Sequence, residues 1–302
     1  MNKKEVLEIR KQFTPDNCAI TRICGCYVDH EKNIIFESKD AFLSLPEEEE
    51  FKYFEIFRHT LSGTLGKNLV GMEFPLEQEE AGGTQEFLLK LRDTRLEDDA
   101  LVQEFYKKII DNYDYGENYY IILIHSVYDI PGKSAAGDEM FDASDEVYTH
   151  IMCSICPVKM SKAGLSYNAT TNSIADRVRD WTVEQPANGF LFPAFNDRSS
   201  DIHSVLTYAK NPEIEQVGLI ENVLGSVMPL TPATQKEMFQ SILEETLEDD
   251  GNYEIVKSVY ENLNEMIEES KDNPEPLTLS KTEVKKLLEN SGVPEKNMQA
   301  FE

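Results

Sequence analysis

Tyr119-Tyr120-Ile121-Ile122-Leu123-Ile124 is an unbroken apolar run dominated by aromatic and β-branched side chains. That content reads as a buried strand, and its shortness excludes a membrane span. Downstream, a polar loop over Pro131 to Asp145 is followed by strand-like stretches at His150–Val158, Arg179–Val183 and Gly189–Phe195. Ile202–Tyr208 fits either a strand or a helix. Upstream, Ala19–Asp29 reads as a strand, Asp29-His30-Glu31-Lys32-Asn33 as a turn, and Ile34-Ile35-Phe36 as its return, a hairpin with a longer loop. Helices bracket these strands. Residues 2–12 suit a short charged helix, and a second helical stretch covers 84–113 with a break near Asp93-Thr94-Arg95. Pro46 and the four glutamates after it make a helix start, because proline fits the first turn and carboxylates favour the positive end of the dipole. The expected fold is α+β: a mixed or antiparallel sheet flanked by helices.

Beyond Pro212 the pattern turns helical, and an acidic all-helical C-terminal region is expected. Thr231 before Pro232 reads as a cap, and Ile255, Val256, Val259, Leu263, Met266 and Ile267 line one helical face. Ser280-Lys281-Thr282-Glu283 is a capping box, and Gly292 and Pro294 close that helix. Glu244–Glu302 holds 16 acids and 6 bases. The expected division is an α+β domain over 1–225 and a helical region over 226–302. Lys296–Glu302 reads as a helix cut short, so the chain is expected to be truncated at 302.

Across all 302 residues, 56 acids against 29 bases leave a formal charge of -27. Coating a nucleic acid needs a basic footprint, so that role is excluded. Charges interrupt the first residues too often for a secretory signal, and no run is long enough for a membrane. Five cysteines, an odd number, fit a reducing cytoplasmic setting. There the Asn168-Ala169-Thr170 sequon is not used.

Four groups of residues invite chemistry. Cys24, Cys26, Cys153 and Cys156 are read as small buried hydrophobes rather than a zinc set, because odd spacing in a strand sends Cys153 and Cys156 to opposite faces. Ser62-Gly63-Thr64-Leu65-Gly66-Lys67-Asn68 lacks the first glycine and the final hydroxyl of a phosphate loop, and reads as a turn. Asp197, Arg198, Ser199, Ser200, Asp201 and His203 crowd together after an apolar strand. They fit either a capped turn or a ligand site, including a metal-assisted hydrolytic one. Ile151–Asn211 carries 6 bases and 5 acids in this anionic chain, so Arg177, Arg179 and Arg198 are the expected anion-binding set. Trp181 and His125 are assigned to the core, and no resident metal or cofactor is expected.

Thr21-Arg22-Ile23-Cys24-Gly25-Cys26-Tyr27-Val28-Asp29, Leu61–Asn68, Cys153-Ser154-Ile155-Cys156-Pro157-Val158, Gly189–Phe195 with Asp197–His203, and Asp272-Asn273-Pro274-Glu275-Pro276-Leu277 together resemble the bacterial family catalogued as domain of unknown function 4317. The resemblance spans nearly the whole chain. It implies a bacterial cytosolic protein and a strand-forming tail past residue 302, and it assigns no catalytic residue. The expected function is a non-enzymatic binding or interaction protein for an unknown protein or a small anionic ligand. The alternative is a metal-dependent hydrolase or phosphate-ester enzyme using Asp197, Asp201 and His203 with Arg198 as clamp. A further alternative is a DNA mimic.

Overall fold

The computed structural model describes residues 1–133, 139–140, 146–214, 216–227, 239, 253–269, 279 and 281–293. By internal contacts the chain divides into two units, Met1–Met228 and Pro229–Glu302.

In the first unit, β1 (Ile20–Val28) and β2 (Ile34–Ala41) form the hairpin expected at Asp29–Asn33, where the Asp29 carboxylate accepts from the backbone N–H of Glu31 and Asn33. With β3 (Leu69–Glu73), β4 (Tyr119–Asp129) and β7 (Val147–Met160), they join β10 (Trp181–Val183), β11 (Asn188–Phe192) and β14 (Ser204–Ala209) in one eight-stranded sheet. The order is β2-β1-β4-β7-β11-β14-β3, with β10 beside β11 on the same flank of β7. Every pairing is antiparallel. Outside this sheet β5 (Gly132–Lys133) pairs with β6 (Glu139–Met140) and β8 (Leu165–Asn168) with β9 (Ser173–Asp176), and α3 (Leu76–Glu79) is one helical turn after β3.

Helices cover both faces, which is why the centre of β4 shows no alternation of apolar and polar residues. Ile121, Leu123, Ile151, Cys153 and Phe190 pack against α4 (Thr84–Asp93) and α5 (Asp99–Asn112). On the other face Ile122, Ile124, Met152 and Leu191 pack against α1 (Lys3–Arg10) and α2 (Glu47–Thr60). The cysteines obey the same alternation: Cys24, Cys26 and Cys153 fall in the first layer and Cys156 in the second, all as free thiols. Burial pushes each of these thiols well up in pKa, so they are inert. Among the described residues no cluster of His, Cys, Asp or Glu is arranged to hold a metal ion.

Helix α2 reaches the sheet closely at its last turn. There the Thr60 and Ser154 hydroxyls lie 2.7 Å apart, fully buried. Gly189 makes this approach possible, since a Cβ on it would sit 2.5 Å from the Cys153 carbonyl oxygen and 2.6 Å from Thr60 Cγ2. Gly189→Ala is therefore expected to cost about 1–3 kcal/mol in urea unfolding. An unchanged midpoint would mean that the helix is not pressed onto the strand.

Several expectations change at this level. The apolar stretch at Gly189–Phe195 is two strands, β11 and then β12 (Ala194–Asn196), parted at Pro193, which has no N–H for a ladder. Trp181 is 53 % exposed rather than core, because β10 is short and pairs only with β7. The Ser62–Asn68 stretch is a turn, with Gly63 and Gly66 at positive φ and the Asn68 amide donating to the carbonyls of Ala209 and Lys210.

In the second unit the described residues include the helices Tyr253–Glu269 and Lys281–Asn290, joined by a small apolar contact of Val259, Leu288 and Val293. Gly292 follows the second helix at φ 81°, a C-terminal glycine cap. The Thr231-Pro232 cap, the Ser280 capping box, Asp272–Leu277 and Lys296–Glu302 lie outside the described residues. No helix among the described residues is long and apolar enough to cross a membrane.

Candidate functional site

The loop singled out in the sequence is a hairpin. β12 pairs with β13 (Ser199–Asp201) in the register Asn196↔Ser199, which leaves Asp197 and Arg198 as a two-residue turn. Both have positive φ, 51° and 57°, as a type I′ turn requires. The side chains then diverge. Arg198 turns to α1, donating from Nε and Nη2 to the Glu8 carboxylate and from Nη2 to the Pro131 carbonyl. Tyr128 donates to the same Glu8. Asp201 accepts from Asn196, from the Ser204 hydroxyl and from the His203 backbone N–H. Burial raises its pKa, but these three hydrogen bonds outweigh that and hold it below the ordinary carboxylate value. His203 points away to Glu79, 2.9 Å from Nδ1, and that carboxylate raises the imidazole pKa. Asp197, Asp201 and His203 do not converge, so this geometry does not support the metal-hydrolase arrangement.

The expected arginine set is not assembled either. Arg177 and Arg179 are exposed, and Arg179 donates to the Ser161 carbonyl near the C-terminal end of β7. Arg198 belongs to the hairpin that follows the pairing of Phe192 with Ile151. Ile151 and Ser161 are roughly 30 Å apart along the strand, so these arginines share no cleft. Sequence proximity misled here because the intervening chain runs the length of β7 before turning back.

Two other arginines, Arg92 and Arg95, do come together. On β4 the side chain of His125 falls on the face of Ile121 and Leu123, and on β7 Val147 and Thr149 fall on that of Ile151 and Cys153. Helix α4 ends at Asp93, short of this end of the sheet. The uncovered strip is a cleft of about 550 Å³ lined by Arg92, Asp93, Arg95, His125, Val127, Val147, Thr149 and Ser200. Of the eight candidate residues, Ser200 alone lines it.

Local backbone features place these groups. Helix α4 closes with the Leu96 N–H donating to the Leu91 carbonyl, and Arg95 stands at φ 54° where glycine is the usual choice. Leu96, fully buried, pins the turn. The register of β1 on β4 slips between Ile20 and Arg22, so that Thr21 is an extra residue and Arg22 pairs with His125. Such a bulge re-aims side chains, and here it brings the Thr21 hydroxyl 2.6 Å from His125 Nδ1. Arg22 pairs with Glu97, and Arg92 with Asp93 through Nε. Arg95 has no ion pair or hydrogen bond to a described side chain. His125 is fully buried, and its Nε2 has no hydrogen-bond partner among the described residues. Burial first, and then the charges of Arg95, Arg92 and Arg22, push its pKa down to about 4, against a smaller opposing effect of Asp93.

The sequence reading placed His125 in the core as a satisfied residue. It is buried, but only one ring nitrogen is satisfied. A signal is present in the break expected at Asp93-Thr94-Arg95 within the 84–113 helical stretch, the turn in which Arg95 stands. A second cleft, about 400 Å³, is lined by Glu48, Glu49, Lys52, Tyr53, Ile56, Tyr120 and Val183 and has the wrong polarity for an anion.

A family model described as a domain of unknown function (DUF4317) matches residues 1–302, the whole chain. No curated protein matches, and no solved structure matches.

Proposed function

We propose, for a chain that belongs to the family described as a domain of unknown function (DUF4317), that it is a binding protein whose ligand is a small anion held in the Arg92–Arg95–His125 cleft. One observation carries the reading: a chain of net charge -27 sets Arg92 and Arg95 in one cleft with a buried histidine, on which Arg22 of β1 also acts electrostatically. Guanidinium groups only donate, and their fork matches a carboxylate or phosphate. Thr149 and Ser200 add hydroxyls, and Val127 and Val147 offer an apolar wall for the body of the ligand. The one hydroxyl paired with His125, that of Thr21, also bonds the His125 carbonyl and is not among the residues lining the cleft, which favours binding over turnover.

Arg95 supplies the test. A non-glycine residue in the left-handed region costs roughly 1 kcal/mol, and such strain gathers at functional sites. Arg95→Gly is expected to raise stability by about that much while abolishing the thermal shift that phosphate, sulfate or citrate gives the parent protein. Arg92→Ala should weaken the same shift. A variant that gains stability and keeps its anion response would remove Arg95 from the site. A parent protein unresponsive to all three anions would end the reading.

A further inference from the structure

We infer that the cleft selects an oxyanion still carrying a proton, such as a hydrogen phosphate, over a fully deprotonated one of the same shape; this rests on the anion reading above. The selecting group is His125 Nε2, and its protonation state follows from Thr21. Thr21 Oγ1 lies 2.6 Å from His125 Nδ1 and 3.2 Å from the His125 carbonyl oxygen. A hydroxyl has one proton to give. Both contacts are hydrogen bonds together only when Nδ1–H donates to Oγ1 and the hydroxyl donates to the carbonyl. Nε2 is then a bare acceptor, buried and without a donor among the described residues.

The groups around the ring cannot supply what it lacks without giving up the ligand. Arg22 on β1, Arg92 on α4 and Arg95 after it are the cations that act on the ring, with Asp93 the carboxylate. The guanidinium donors are those an anion would occupy. An oxyanion with no proton sets its lone pairs against that of Nε2, whereas one bearing an O–H donates to Nε2 and accepts from the arginines. A buried acceptor left unmet is costly, so the difference is expected to be large. Burial and the three cations keep the imidazole neutral at pH 7, so it does not turn into a donor by protonation.

Inorganic phosphate and sulfate share a tetrahedral shape, and at pH 7 only phosphate carries a proton. Calorimetric titration of the full chain at matched ionic strength is expected to show phosphate bound about tenfold more tightly, or more. Thr21→Val keeps the β-branched shape at an exposed position and frees the ring to take the Nε2–H form. Its phosphate-to-sulfate ratio should fall toward one. A merely structural role for Thr21 would weaken both anions alike and leave the ratio unchanged, which would overturn the inference. The ¹⁵N shifts of the His125 ring give an independent measure in the ligand-free protein: Nδ1–H is expected, and Nε2–H overturns the inference. Equal binding of the two anions by the parent protein overturns it alone. Binding of neither overturns the anion reading and this inference with it.

Discussion

Acidification from pH 7 to pH 5 is expected to remove about 4 kcal/mol from the stability of the sheet unit, and His150→Phe is expected to halve that loss. His125 and His150 are both fully buried. Burial is the first cause of each low pKa, about 4 for His125 and about 3 for His150, whose second cause is His125 itself. Unfolding returns each ring to a value near 6.5, so the unfolded chain takes up protons that the folded one refuses. The stability is therefore complete above about pH 6.5 and falls as the pH drops toward the folded values, at about 1.4 kcal/mol per pH unit for each ring. His203 has the opposite sign, since Glu79 raises its pKa and its contribution disappears as the pH rises. It is exposed and adds little.

Phenylalanine at 150 keeps the ring that stacks on Tyr148 at 4.5 Å and removes two buried nitrogens without partners among the described residues. The variant should therefore be at least as stable as the parent at pH 7. Hydrogen exchange of the β4 and β7 amides at pH 7, 6 and 5 reports this unit alone. A pH slope identical in parent and variant would show that His150 accepts a proton in the folded state.

Phe105→Ala should cost about 3–5 kcal/mol at pH 7. Val102, Phe105, Tyr106, Ile109 and Ile110 recur at three- and four-residue spacing along α5 and bury its inner face. Phe105 is the ring at the centre, set edge-on to Phe190 of β11 at 6.1 Å and 70°. Truncation removes that contact and leaves a hole among strands that are already paired and cannot close over it. Urea unfolding at constant m measures the loss, and Phe105→Leu should recover much of it. A cost below 1 kcal/mol would mean that α5 is not held by this face. Arg92 stands in the last turn of α4 and Arg95 in the turn after it, so anion affinity per folded molecule should persist in Phe105→Leu.

Much of the architecture was legible because short-range rules governed it. The run at Tyr119–Ile124, the turn at Asp29–Asn33 and the glutamates after Pro46 each specify a local conformation that packing did not override. Strand content, the antiparallel hairpin and the helical break after Asp93 follow from them. The expected site was less legible. Asp197, Asp201 and His203 crowd in sequence because a tight hairpin needs turn-forming and polar residues, and a two-residue turn sends neighbouring side chains in different directions. Their density recorded a turn and not a converging set. Arg177 and Arg179 were grouped with Arg198 by charge counting along the chain, which carries no information about which end of β7 each one meets.

The sequence by itself determined the alternation that divides Cys153 from Cys156, the helices on either side of the strand run, and the scarcity of positive charge. Only the tertiary structure decided where the remaining charge is concentrated. Arg22, Arg92, Arg95 and His125 are up to about a hundred positions apart and meet through a bulge in β1, a strained turn after α4 and the pairing of β4 with β1. Side-chain direction at a bulge or a left-handed residue depends on which strand lies opposite and which layer stops short. These are properties of long-range pairing, and no local pattern of residues encodes them.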